Sequence, residues 1–149
     1  MNRTNNNPIE ILLIEDNPGD IRLTQEAFKF NKIPSRLHVT RDGIEALDFL
    51  YRRNDFAESP VPDLILLDLN LPKKSGREVL AEIKKDENLR RIPVIVLTTS
   101  DAEEDIFNAY DLHTNCYITK PVDLDEFMKI IKAIEDFWFT IVSLPARRK

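Results

Sequence analysis

The sequence predicts an α/β fold: a doubly wound parallel sheet of five strands in the order 2-1-3-4-5, with an extended C-terminal helix. Three observations predict it. Five short runs are apolar almost throughout, which marks strands covered on both faces. Each run is followed by a stretch whose apolar residues recur at helical spacing, and strands alternating with helices build a parallel sheet. The chain has 149 residues, 42% hydrophobic and 32% charged, which suits one domain at roughly 100–200 residues per domain and excludes general disorder.

The elements follow in order. Residues 1–8 are polar and read as a disordered lead-in. Ile9 to Ile14 is the first strand. Asn17 can cap a helix, Pro18 suits its first turn, and the helix runs to about Phe30 with Ile21, Ala27 and Phe28 inward. Leu37 to Thr40 is a short second strand. Asp42 caps a second helix to about Arg53, with Ile44, Leu47, Phe49 and Leu50 as its apolar positions. A polar loop, Asn54 to Pro62, leads to a third strand that ends at Asp68. Arg77 to Asp86 is a third helix carrying Val79, Leu80 and Ile83. Ile92 to Leu97 is the fourth strand, stopping at Thr98. Asp101 caps a helix to about Leu112, Cys116 to Ile118 is the fifth strand, and a last helix runs from near Asp123 to about Ser143. Five such units in a domain of this size fit the flavodoxin-like topology.

Composition excludes several functions. Basic residues number 21 and acidic residues 26, a net charge of −5, which is the wrong sign for a nucleic-acid footprint. Three glycines and no glycine-rich phosphate motif argue against a nucleotide cradle. One cysteine, Cys116, excludes an intramolecular disulfide and a cysteine zinc site, and two histidines make a histidine-based metal site improbable. His38 reads as structural and His113 as a surface loop residue. No apolar run reaches membrane-spanning length, and the polar N-terminus lacks an apolar signal region, so a cytoplasmic protein with no membrane partner is expected.

The chemistry gathers at the strand ends. In an open α/β sheet, ligands bind beyond the carboxyl ends of the strands, at the switch point between strands 1 and 3. Strand 1 ends in Glu15-Asp16, strand 3 in Asp68 and strand 4 in Thr98, and strand 5 is followed by Lys120. In the 2-1-3-4-5 order these five side chains converge. Three carboxylates repel one another unless a cation sits among them, and oxygen ligands without His or Cys favour a hard ion such as Mg2+. Lys120 adds a positive charge and Thr98 a hydroxyl donor, a set suited to a phosphoryl group on one carboxylate. Asp68, the central one, is the candidate nucleophile. A lone strand-end aspartate is more often a cap or turn former; the ordered set of five is what carries the chemical reading.

The motifs ILLIEDNPGD, LILLDLNLPKKSG, VIVLTTS and YITKPVD resemble, in order and spacing, those of response-regulator receiver domains of two-component signalling. The resemblance covers residues 9–135. It implies that Asp68 accepts a phosphoryl group from the phosphohistidine of a sensor kinase. It implies that Glu15, Asp16, Asp68 and the backbone carbonyl of Asn70 hold Mg2+, and that Thr98 and Lys120 bind the phosphoryl group. It also implies that Thr98 and Tyr117 form the switch pair. Thr99 stands where the family often has a smaller residue, which narrows access to the site. Asn70 and Ser100 lie where the family tunes dephosphorylation.

The C-terminal stretch, residues 136–149, is the departure. A helix from Asp123 to Ser143 would be about 31 Å long, more than a small sheet needs for cover. Beyond the core stripe Phe127, Ile130, Ile131 and Ile134 stand Phe137, Trp138, Phe139 and Ile141. Three consecutive aromatics spread over about 200° of helix circumference, so one sheet face cannot bury them all, and exposed aromatics mark interfaces. A homodimer through these residues is expected. The ending also resembles that of small receivers encoded beside phytochromes, which implies a phytochrome histidine kinase as the donor. No output domain is read in the sequence, so the expected output is contact with an unknown downstream protein. The chain is expected to be no enzyme beyond its own phosphorylation and dephosphorylation. An aspartyl phosphatase is disfavoured because Asn70 stands where a general acid would be needed. A flavin carrier lacks its phosphate loop. The remaining alternative is a constitutive docking module with an inactive pocket.

Overall fold

The computed structural model describes residues 8–29, 34–98 and 116–119, together with helical positions 125, 128, 129, 132, 133 and 136. Strand β1 (Ile9–Ile14) is an interior strand, with five of its six residues buried. Helix α1 (Pro18–Lys29) follows, then β2 (Ser35–Thr40), α2 (Gly43–Tyr51), β3 (Leu64–Asp68), α3 (Gly76–Lys85), β4 (Val94–Thr98) and β5 (Cys116–Thr119). The five strands are all parallel and run in the order β2-β1-β3-β4-β5. The expected fold and strand order are therefore what the chain adopts.

Alternation along each strand divides the core into two layers. Leu12, Ile14, Ile65, Leu67, Val94 and Val96 face α2 and α3, meeting Ala46, Leu47, Phe49, Leu50, Val79, Leu80 and Ile83. Ile11, Leu13, Leu64, Leu66, Ile95 and Leu97 face the other way, toward Ile21, Ala27 and Phe28 of α1. Burying one such side chain contributes about 1.5–3 kcal/mol, so the two layers dominate the fold's stability. On α1 the buried stripe also includes Thr24, whose hydroxyl donates to the Asp20 carbonyl at 2.9 Å and so enters the core satisfied.

Caps set the helix starts. Asn17 Oδ1 accepts from Asp20 N–H at 3.0 Å, and Asp42 Oδ1 accepts from Glu45 N–H at 2.8 Å, as the sequence suggests. Helix α3 begins one residue early, at Gly76, because Ser75 and Glu78 form a reciprocal capping box. Helix α2 ends at Tyr51, where Arg52 turns left-handed with φ 57° and donates its N–H to the carbonyls of Asp48 and Phe49.

One core expectation is corrected. Ile44 is 53% exposed. The buried residues of α2 are Gly43, Ala46, Leu47, Phe49 and Leu50, and Ile44 lies outside the arc they span. Strand β2 begins at Ser35, two residues before the apolar run, because Ser35 and Arg36 pair with Ile9 and Glu10 on the sheet edge. His38 is structural, as expected: its Nε2 lies 2.7 Å from Glu10 Oε1, and its ring lies 5.4 Å from that of Phe49. The lead-in, the helix after Asp101, His113, and the aromatic residues 137–139 with Ile141 lie outside the described residues. Of the last helix, Asp125, Lys129, Lys132, Ala133 and Asp136 form an exposed face, and Met128 packs on the α1-side core.

Candidate phosphoryl and metal site

The sheet brings its strand ends together in a definite order. Register pairs Ile14 of β1 with Leu67 of β3, so the residues that follow, Glu15 and Asp68, emerge side by side. Asp68 itself pairs with Leu97 of β4, which places Thr98 at the next step. Thr98 in turn pairs with Thr119 of β5, the residue before Lys120. Tyr117 pairs with Val96. Lys120, Thr99 and Ser100 lie outside the described residues, as do the side-chain positions of Thr98 and Tyr117.

Three carboxylates meet at this edge. One oxygen from each of Glu15, Asp16 and Asp68 falls within 4.8 Å of the others. Glu15 and Asp68 are almost fully buried, 1% and 3% exposed, while Asp16 faces solvent. Backbone donors fix two of the three. Asn17 N–H donates to Glu15 Oε2 at 3.3 Å, and Asn70 N–H donates to Asp68 Oδ1 at 3.0 Å. Glu15 N–H in turn donates to the Thr40 carbonyl at 2.9 Å, tying the acidic turn to the end of β2.

The donor set fits a hard divalent cation. Burying like charges side by side is costly, and a cation among them removes that cost. Among the described residues the ligands are all oxygens, one group stays open to water, and no His or Cys belongs to the cluster, which suits an ion that keeps several waters.

Two glycines border the turn that follows Asp68. A Cβ on Gly76 would stand 2.9 Å from the Leu69 carbonyl carbon and closer still to the Asp68 oxygen, so the start of α3 can touch the acidic strand end only as glycine. Gly43, at the start of α2, makes the same kind of approach to Lys74. Neither glycine was among the candidate site residues, although LPKKSG carries the signal for Gly76. Lys73 and Lys74, which join Asp68 to α3, form ion pairs with Asp42 at 3.5 Å and Glu82 at 3.7 Å.

A parallel sheet in this order with three acids at its switch point defines a receiver. The chain belongs to the response regulator receiver domain family, which matches residues 11–132. It is 51% identical over 146 residues to response regulator Rcp1 of Synechocystis sp. strain PCC 6803, covering 98% of this chain and 99% of that protein. It is similar to the crystal structure of the phosphorylated cyanobacterial phytochrome response regulator RcpA, with 54% identity and a TM-score of 0.83 over 93% of this chain and 99% of that one. It is likewise similar to the Mn(2+)-bound form of Rcp1, with 52% identity and a TM-score of 0.82 over 93% and 99% of the two chains.

Proposed function

We propose that this receiver accepts a phosphoryl group on Asp68 from the phosphohistidine of a sensor histidine kinase, and that the donor is a phytochrome. The observation that carries the reading is the buried carboxylate of Asp68, held by the Asn70 N–H within the three-acid cluster. The likeness to a phytochrome response regulator supports the choice of kinase. Glu15, Asp16, Asp68 and the backbone carbonyl of Asn70 would hold Mg2+. When bound, the ion neutralises charge on the phosphoryl oxygens.

The chain's residues do the rest. The Asn70 N–H orients the Asp68 carboxylate for in-line attack. A bond forms between an Asp68 oxygen and phosphorus as the phosphorus–nitrogen bond to the donor histidine breaks, and the electron pair leaves with the imidazole. Thr98 donates its hydroxyl and Lys120 its ammonium to the new phosphoryl oxygens. Thr98 and Tyr117 then move inward and bias the surface built by the helix after Asp101, β5 and the last helix. A downstream protein reads that surface. The only chemistry catalysed is on Asp68 itself. Such exchange with an ATP-dependent kinase places the protein in the cytoplasm. Phe137, Trp138, Phe139 and Ile141 join two copies as a homodimer.

Incubation with acetyl phosphate and Mg2+ followed by intact-mass measurement tests the central step. A single phosphoryl adduct on the wild type, absent from Asp68→Asn, is expected. Full labelling of Asp68→Asn would remove Asp68 from its role. No adduct, with transfer from a phosphorylated kinase also failing, would leave the docking-module reading.

A further inference from the structure

The turn from Asp68 to α3 is held from two sides. On one side Gly76 N–H donates to the Leu69 carbonyl at 3.2 Å, and Leu69 N–H donates to the Leu97 carbonyl at 2.9 Å. This fixes the beginning of the turn to α3 and β4. The other side comes from α2, an element with no residue in the acid cluster. Gly43 is buried at the first position of α2, and a Cβ there would stand 2.7 Å from Lys74 Cβ and 2.8 Å from Lys74 C. Its neighbour Asp42 caps α2 and also pairs with Lys73. Lys73 has φ 65°, a left-handed conformation that a β-carbon disfavours and that persists where surroundings impose it.

We propose that Gly43 is a positioning residue for Asp68: by admitting the Lys74 backbone against the start of α2, it sets the turn that aims the Asn70 N–H at the acceptor carboxylate. The inference rests on the receiver reading and deepens it. A methyl group at position 43 must push Lys74 away, and the displacement passes along the four residues back to Asn70. The effect is not that of a weakened helix: alanine is a better helix former than glycine, so any loss in Gly43→Ala comes from the turn and not from α2. Coupling of this kind is reciprocal: if α2 helps place the metal-binding groups, metal binding must tighten the start of α2.

The test measures Mg2+ affinity of the full chain by calorimetry for wild type, Gly43→Ala and Ile44→Ala. Ile44 neighbours Gly43 on α2 but points to solvent. Gly43→Ala is expected to bind Mg2+ about tenfold more weakly, as when groups supporting a metal ligand are displaced. Ile44→Ala is expected to bind as wild type does. A folded Gly43→Ala with wild-type affinity overturns the inference, as does an equal loss in Ile44→Ala. Hydrogen exchange on the wild type decides the matter if Gly43→Ala does not fold. Mg2+ is then expected to slow exchange at the Glu45 and Ala46 amides, which bond to Asp42, as well as at Asn70. Protection confined to Asn70 overturns the inference. Absence of Mg2+ binding to the wild type overturns the proposed metal-dependent phosphoacceptor function and this inference with it.

Discussion

At the scale of single residues, the acid cluster sets function against stability. Glu15 and Asp68 place two carboxylates in a nearly dry corner of the fold, with Asp16 beside them. Without a cation the corner is repulsive, so removing a charge should stabilise the protein even as it abolishes phosphorylation. Asp68→Asn keeps an oxygen for the Asn70 N–H, removes the charge and turns the second oxygen into an amide donor. In metal-free buffer its melting temperature should exceed that of the wild type. Added Mg2+ should reverse the order, because a ligand at a hundred times its dissociation constant stabilises the folded state by about 2.7 kcal/mol. Thermal melts of both proteins with EDTA and with Mg2+ check this. A wild type that melts higher in EDTA would show that neighbouring groups already neutralise the cluster.

At the scale of elements, the helix starts carry a second set of consequences. The capping box at α3 joins Ser75 N–H to Glu78 Oε1 at 3.0 Å and Glu78 N–H to Ser75 Oγ at 3.2 Å. Ser75→Ala should cost about 1 kcal/mol, measurable as a lowered urea midpoint with unchanged slope. The hydrogen bond from the Ser75 backbone holds the Glu78 carboxyl below its ordinary value of 4.5. A depressed carboxyl contributes stability that is full above its unfolded value and lost as pH falls through its folded one. The stability gap between wild type and Glu78→Gln should therefore be constant at neutral pH and close as pH falls below the ordinary carboxyl value of 4.5. A gap unchanged down to pH 3 would refute the box as a source of stability. The same box shows why some boundaries were legible and others not. S-x-x-E stands in the sequence at Ser75 to Glu78, but the apolar stripe of α3 begins at Val79 and draws attention away from it. Asp42 and Asn17 were legible because each directly precedes its helix. The exposure of Ile44 was not legible, since two of the residues on the inward face of α2, Gly43 and Ala46, carry little apolar signal of their own. Strand β2 extends back to Ser35 for a similar reason. Its polar start gains pairing partners from β1, and Arg36 reaches Glu10 at 3.2 Å.

At the scale of the whole molecule, strand order made the site readable before any side chain was placed. Once five apolar runs are accepted as parallel strands, the residues after the first, third and fourth must share one edge of the sheet. The observed register brings Glu15, Asp68 and Thr98 there. What strand order leaves open is how the domain meets a second copy. The proposed dimer through Phe137, Trp138, Phe139 and Ile141 can be tested on mass and stability together. Each buried aromatic removes about 150–250 Å2 from water, so the cluster can anchor an interface with few polar contacts. If the copies associate, sedimentation should report twice the 17.3 kDa chain mass, and the melting temperature should rise with protein concentration. Phe137→Glu with Trp138→Glu places two charges in that contact. The double variant should sediment at 17.3 kDa and melt at a temperature independent of concentration. It should still accept a phosphoryl group from acetyl phosphate, because Glu15, Asp16 and Asp68 come from one chain. A wild type that sediments as a monomer at high concentration would sink the interface, and loss of labelling in the variant would show that the site depends on the second copy.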